Sequence, residues 1–240
     1  MQKGNESGNV INAYSSGEAV EKYEDLNETG FYGTEAKLVK RYLQSPGRVL
    51  DVACGAGRTA KPLEEMGHEV VRIDISDEMI VKADSLFPEI DFCVGDASEL
   101  PFADETFDYV LFSYVNIDIL YPRAQRLRSL RELNRILKNG GRLIFGTGNS
   151  LHVIPALLRG KFDHLLRFYV RNGNYKRIFR AYKRDPDEWN LRTYFGTQPR
   201  NLLDLRRCGF ETEHIGGSRD SVLRFFEEVQ YYVARKARSI

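Results

Sequence analysis

Long apolar runs are missing from this sequence. None approaches the ~18 residues needed to cross a bilayer, so no membrane span is expected. Paired cysteines are missing too. Cys54, Cys93 and Cys208 are odd in number, far apart and outside any CxxC pair. That argues against zinc and a disulfide framework, and the thiols read as small packed side chains. No metal site of another kind is expected either. The opening stretch, Met1-Gln2-Lys3-Gly4-Asn5-Glu6-Ser7, lacks the apolar centre of a secretory leader, which makes the cytoplasm the expected compartment. With a formal net charge of +1, the chain as a whole carries no electrostatic footprint for nucleic acid.

What is present is an alternation of short apolar runs and helical runs. Residues 1–17 are polar and read as a mobile tail. Residues 18–43 have helical spacing interrupted by Gly30 and Gly33, with Leu38, Val39, Tyr42 and Leu43 on one stripe. Strands follow at 48–52, 69–74, 90–94, 107–113 and 142–147. Helices are expected at 58–66, 77–86 and 124–137, the last stopped by Asn139-Gly140-Gly141. This βαβαβ series predicts a doubly wound, mostly parallel sheet with helices on both faces. A ligand should sit at the carboxyl ends of the strands, where their order reverses. The rhythm breaks after Ser150. Residues 151–196 read as a helical lid inserted into the core, which spans 18–150 and resumes at 197–240. The resumption comprises a helix at 200–207, a strand at 210–215 and a last strand at 228–235.

Gly55-Ala56-Gly57 lies between the first strand and the next helix. Two glycines there allow a tight turn and close approach of a ligand to the main chain. The amides opening the helix favour an anionic group. Asp74 ends the second strand, 19 positions after Gly55, where a carboxylate can accept both hydroxyls of a ribose. Two ligand classes meet these demands. Gly55, Gly57 and Ala60 fit a loose nicotinamide-binding pattern with Asp74 in the acidic place. The other class is S-adenosylmethionine. It accounts for Asp51, an acid inside a buried strand whose cost needs a reason, such as holding the glycine loop or reaching a ligand amino group.

Val49-Leu50-Asp51-Val52-Ala53-Cys54-Gly55-Ala56-Gly57 resembles the first motif of class I S-adenosylmethionine-dependent methyltransferases of the small-molecule type. Arg72-Ile73-Asp74-Ile75-Ser76 resembles the second motif, with Arg72 where the family commonly has Gly. Gly95-Asp96-Ala97 resembles the third, and 131–141 the helix and turn before strand five. The resemblance implies a seven-stranded Rossmann-like methyltransferase fold using S-adenosyl-L-methionine and releasing S-adenosyl-L-homocysteine. It implies that Gly55 and Gly57 face the methionine part of the cofactor, that Asp51 and Ala53 belong to the cofactor-binding set, and that Asp74 binds the ribose. Ile75 and Met79 would sandwich adenine, Asp96 and Ala97 would read its edge, and Ser113 would lie near the sulfonium. Tyr23 occupies the place where related enzymes fold an aromatic over the cofactor. Two other readings stay open: a nicotinamide oxidoreductase, and a module that binds S-adenosylmethionine without turnover.

Methyl transfer from a sulfonium chiefly asks the protein to align the acceptor and exclude water. A neutral amine needs little more, whereas a hydroxyl needs a base in reach. Tyr114 and Asn116, after the fourth strand, should rim the acceptor site, and Asp118 and His152 are the candidate bases. Residues 151–184 hold nine Lys or Arg against one acid, Asp163, with interleaved aromatics. Such a lid would suit an anionic acceptor, with Arg177 and Arg180 as candidate contacts. The expectation is methylation at O or N of a small or medium-sized acceptor, an anionic one included, with no nucleic-acid partner.

Overall fold

A computed structural model describes residues 6–158, 160, 162, 166–171, 180–184, 191–217 and 225–237. The first helix, α1 (Glu6–Tyr14), falls where a mobile tail was expected. Two further helices follow, α2 (Gly17–Asp25) and α3 (Gly33–Tyr42). The core then runs β1 (Arg48–Val52), α4 (Ala60–Glu65), β2 (Glu69–Asp74), α5 (Asp77–Leu86), β3 (Phe92–Val94), β4 (Phe107–Phe112), α6 (Arg123–Ile136) and β5 (Leu137–Asn149). After β5 come α7 (Ile154–Leu158), β6 (Arg180–Arg184), β7 (Arg192–Gly196), α8 (Gln198–Arg207), β8 (Phe210–Gly216) and β9 (Val229–Lys236).

Local chemistry sets several of these boundaries. Ser76 caps α5 by accepting a hydrogen bond from the Met79 amide at 3.2 Å. Asp77 and Glu78 then place negative charge in the first turn, where the helix dipole favours it. In α8, a proline near the start and Arg206 and Arg207 in the last turn mark the two ends. The expected stop of α6 at the glycine pair is overridden. The helix ends at Ile136, and Leu137 turns extended, fully buried and in register with Phe107. Burying that leucine beside β4 outweighs one more helical turn, and the glycine pair falls inside β5.

The parallel strands stand in the order β3-β2-β1-β4-β5, with β9 antiparallel beside β5 and β8 beside β9. Side chains alternate across the sheet. Val110, Phe112, Leu143 and Phe145 enter one apolar layer with α6 and α8. Tyr109, Leu111 and Ile144 enter another with α3. Chain order reverses between β1 and β4, so their carboxyl ends frame the expected ligand crevice.

The largest departure from expectation is the helical lid. Between 151 and 196 the described helical pieces are a 3-10 turn at Ser150–Val153, α7 and a π-helical turn at Leu166–Arg171. Residues 180–184 and 192–196 instead form the antiparallel hairpin β6–β7, giving nine strands among the described residues. Gly148 is in register with Val229 of β9 and with Phe195 of β7. A strand has two edges, so β7 occupies the β4 side of β5, beyond the end of β4. Cross-strand pairing holds the hairpin: Ala181 faces Phe195, and Tyr182 meets Tyr194 edge-on at 5.7 Å. Two five-residue runs were too short for period-two spacing to be separated from a helical reading.

Candidate active site

The crevice at the reversal point is built from the turn that β1 feeds. Beyond Val52 the chain takes positive φ at Ala53 (56°), Gly55 (55°) and Gly57 (95°). At Gly55 this opens main chain to the cleft, and the Tyr23 ring lies 3.9 Å from where a Cβ would stand. Gly57 serves a different purpose. A Cβ there would meet Phe87 at 2.8 Å and Phe92 at 3.2 Å, so this glycine lets the turn pack on α5 and β3. Contrary to expectation, Gly57 is not among the residues lining the cleft.

Two adjoining spaces follow. The larger, an open cleft of about 980 Å³, is lined by Tyr23, Ala53, Gly55, Asp74, Ile75, Met79 and Ser113, among others. The smaller, about 470 Å³, is lined by Gly95, Asp96, Ala97, Ile75 and Ala53. Val10, Ala53, Ile75, Asn116 and Ile119 border both. Nine of the eleven residues that the resemblance nominates for the cofactor border one space or the other; Asp51 and Gly57 stand behind the wall.

Asp74 lines the larger space, next in sequence to Ile75, which borders both. Its Oδ2 accepts from the Gly55 amide at 2.9 Å, and its Oδ1 accepts from the Ser76 amide at 3.0 Å. Burial raises its pKa, and these amides counter the shift. Asp51 is fully buried one layer below. Its Oδ2 accepts from Thr59 Oγ1 at 2.5 Å, while Oδ1 has no hydrogen-bond partner. Burial pushes this carboxyl up to about 7. The acid therefore braces the glycine turn through Thr59. Arg72, the departure in the second motif, pairs in register with Asp51 and is itself buried. It pairs with Glu64 at 2.7 Å and donates to the Ala60 carbonyl at 3.2 Å.

The far wall of the larger cleft is a network that the sequence reading missed. Glu35 of α3 is 1% exposed. Its Oε1 accepts from Ser113 Oγ at 2.6 Å and from the Tyr114 amide at 2.8 Å, and its Oε2 accepts from the Tyr32 amide at 3.3 Å. Arg58 pairs with Glu35 at 3.5 Å and donates to Ser113 and to the Gly30 carbonyl. Its guanidinium lies 4.3 Å from the Tyr32 ring centre, and Tyr32 packs on Tyr114 at 4.8 Å. Tyr114 holds φ 54°, a conformation uncommon for a bulky residue, and Glu35 fixes it through the amide. Arg58 and Glu35 bear helical-run spacing in the sequence; only the folded contact of α3 with the ends of β1 and β4 reveals them.

Neither candidate base faces this space. Asp118 is fully buried, accepting from Arg126 and Thr147 at 2.6 and 2.7 Å and from the Gly148 amide at 2.5 Å. Burial pushes its carboxyl up to about 6 even with Arg126 beside it. Its oxygens are consumed in joining the turn after β4 to β5, so it is a brace. His152 lies beyond β5, its Nδ1 2.7 Å from the Asn149 carbonyl and its ring 5.6 Å from Phe195. It lines neither space. Tyr114 and Asn116 do border the cleft, and Asn116 Nδ2 donates to the Ala53 carbonyl at 3.2 Å. Arg180 begins β6, and Arg177 lies outside the described residues.

The N-terminal helices close the remaining side. Val10 and Tyr14 border the cleft. Ser15 bonds Glu78 and lies 3.3 Å from Ser76 Oγ, while Lys82 pairs with Glu24 at 2.7 Å. These contacts fasten α1 and α2 to α5.

Comparison with known proteins accords with this geometry. A family described as "Methyltransferase domain" matches residues 50–145. A demethylmenaquinone methyltransferase of Thermotoga maritima is 32% identical over 178 residues, covering 68% of this chain and 73% of its own. The chain belongs to the S-adenosylmethionine-dependent methyltransferases. A ubiquinone/menaquinone biosynthesis C-methyltransferase of Geotalea daltonii is 30% identical over 69% of this chain and 74% of its own. With the demethylmenaquinone methyltransferase of Renibacterium salmoninarum the match is 41% but spans only 41% of this chain and 40% of that enzyme. Among solved structures, a methyltransferase of Methanosarcina mazei has the same fold at TM-score 0.67 and 22% identity, covering 88% of this chain and all of that one. A Burkholderia thailandensis 1,6-didemethyltoxoflavin N1-methyltransferase, solved with its acceptor and S-adenosylhomocysteine, superposes at 0.64 and 18% identity over 96% of this chain and 86% of its own. The methyltransferase therefore has a Rossmann-like core and uses S-adenosylmethionine. No helix among its described residues is long and apolar enough to cross a membrane.

Proposed function

We propose that the two joined spaces hold S-adenosylmethionine, with the acceptor entering the larger cleft beside Tyr114. The fit rests on Asp74 in the larger space, beside Ile75, which borders both. A carboxylate there, backed by the Gly55 and Ser76 amides, suits a pair of ribose hydroxyls. The smaller space, with Ile75 and Ala97 as apolar walls and Asp96 at its edge, suits a purine carrying an amino group. On the other side, the open main chain at Gly55, under Tyr23, suits the amino-acid tail. Met79 and Ser113 complete this contact set, while Asp51 and Gly57 support it from behind.

When bound, the cofactor supplies an electrophilic methyl carbon. What remains for the protein is alignment and exclusion of water. The single observation that carries the acceptor reading is the charge of the larger cleft. Lys22 and Arg58 line it, and Asp74 is its one carboxylate among the described lining residues. In this reading Asp74 is committed to the ribose hydroxyls, with the Gly55 and Ser76 amides behind it. No carboxylate is left to take a proton from the acceptor. The acceptor thus brings its own nucleophile, as a neutral amine or an acidic hydroxyl already ionised. Tyr32 and Tyr114 offer flat apolar surface next to the guanidinium, which favours a small planar acceptor, anionic ones included. A ring carbon of an electron-rich quinol is the second reading, favoured by the C-methyltransferase relative.

The test is turnover with S-adenosylmethionine labelled by carbon-13 in the transferred methyl, against phenols, enols, heteroaromatic amines and reduced naphthoquinones. Product resonances in the O-methyl or N-methyl region support the main reading, and a C-methyl resonance the second. Cofactor binding with no released S-adenosylhomocysteine on any acceptor would mark a non-catalytic module.

A further inference from the structure

We propose that Glu35 sets how well the larger cleft accepts the positive charge of the cofactor's sulfonium, by offsetting the charge of Arg58 in the cleft wall. The inference rests on the cofactor reading above. In that reading the site must hold a cation in a cationic setting. The described lining of the larger cleft contains Lys22 and Arg58 against Asp74, and Asp74 is turned to the ribose. The transferable methyl has to face the acceptor beside Tyr114, so the sulfonium lies on the Ser113–Tyr114 side. Arg58 is on that side too. Its guanidinium donates to Ser113 and lies 4.3 Å from the Tyr32 ring centre. In a cleft partly shut off from water, like charges repel far more than they do in bulk solvent.

Glu35 answers that charge from behind. It is buried and does not line the cleft, whereas Arg58, its ion-pair partner at 3.5 Å, does. Capping α3 explains only part of this placement. Oε2 accepts from the Tyr32 amide at 3.3 Å, and a neutral glutamine in the third helical position serves such a cap as well. Oε1 is turned instead to the end of β4, where it accepts from Ser113 Oγ at 2.6 Å and from the Tyr114 amide at 2.8 Å. What only a carboxylate adds is negative charge beside Arg58. Burying an ionised pair carries a desolvation cost that neutral side chains of like size avoid, so the charge itself calls for a use. Glu35 acts through Arg58 and is therefore a positioning residue.

The test is calorimetric titration of S-adenosylmethionine and of S-adenosylhomocysteine into the wild type, Glu35→Gln, Arg58→Gln and the double variant. The two ligands differ by the methyl group and its positive charge. Their affinity ratio therefore reads the charge near the sulphur, whereas a loosened fold weakens both together. Glu35→Gln leaves Arg58 unanswered and should lower the ratio, in disfavour of S-adenosylmethionine, by about tenfold. Arg58→Gln leaves the carboxylate alone and should raise the ratio by about as much. The double variant removes both charges and should return the ratio to near the wild-type value. Each variant carries its own predicted ratio, so any one that folds, judged by thermal melting, decides. An unchanged ratio in either single variant, or a ratio in the double variant that stays away from the wild type, would overturn the proposal. If the wild type binds neither ligand, the cofactor reading itself fails. If both bind and the ratio does not move, only the role of Glu35 fails.

Discussion

Two groups of buried acids lie at the same edge of the sheet, and their oxygens face different things. Asp118, beyond β4, spends its oxygens on Arg126, Thr147 and the Gly148 amide. Asp51 and Asp74, at the ends of β1 and β2, are less fully spent. Asp51 keeps one oxygen without a partner, and Asp74 borders the cleft. A buried charge is tolerated when it is paired and hydrogen-bonded, so the first group is frame. Incomplete satisfaction next to open space is where a ligand can add interaction. Burial alone does not separate a brace from a binding residue; what the oxygens face does.

The largest expected effect tests the frame. Asp118→Ala leaves the Arg126 guanidinium buried with no counter-charge, which typically costs about 3–5 kcal/mol. Thermal unfolding should move down by roughly 6 °C or more, while the folded fraction still binds S-adenosylhomocysteine normally. Lost binding at unchanged thermal stability would break the comparison.

Next is the pH response of Asp51. Burial raises its folded pKa to about 7, against about 3.9 unfolded. In this window the folded state holds a proton that the unfolded chain gives up. The stability this carboxyl contributes is full below about pH 4 and lost as pH rises through 7, at up to about 1.4 kcal/mol per pH unit. Urea midpoints at pH 5 and pH 8 should diverge more in the wild type than in Asp51→Asn. Equal slopes would show that the carboxyl is not raised.

Smaller effects sharpen the division between turn and wall. Gly57→Ala forces a Cβ against Phe87 at 2.8 Å with φ at 95°, for a loss of about 1–3 kcal/mol in unfolding experiments. Once the remaining folded protein is counted, its ligand affinity should be unchanged. Asp96→Ala should do the reverse. It should weaken S-adenosylhomocysteine by about fivefold, the loss of roughly 1 kcal/mol, with little change in melting.

Legibility in the sequence follows the same line. The βα half was readable because its signals are local: strand runs, the Gly55-Ala56-Gly57 turn and acids at strand ends. Strands β1 and β2 and helix α5 fall on the predicted residues. The helix in the supposed tail was hidden because residues 6–14 open on the polar run Glu6-Ser7-Gly8-Asn9, poor in helix formers, and the contacts that hold it come from α5 and the cleft rim. The hairpin β6–β7 was hidden because its pairing is with the end of β5, far away in sequence. Within the site, Asp74 could be found by spacing and position. Glu35 and Arg58 meet across 23 residues through tertiary packing, and a periodic helix stripe gives no hint that one of its acids turns inward. Asp118 was misread for the opposite reason. An acid after strand four resembles a base, until Arg126 one helix later is seen to neutralise it.

The most direct measurement is a calorimetric titration of S-adenosylhomocysteine into the wild type and into Asp74→Ala. One site per chain is expected in the wild type. In the variant, affinity should be weakened about 10- to 100-fold, the loss of hydrogen bonds to a charged group, with folding retained. Absence of binding to the wild type at millimolar ligand, or equal affinity in the two proteins, would contradict the cofactor reading.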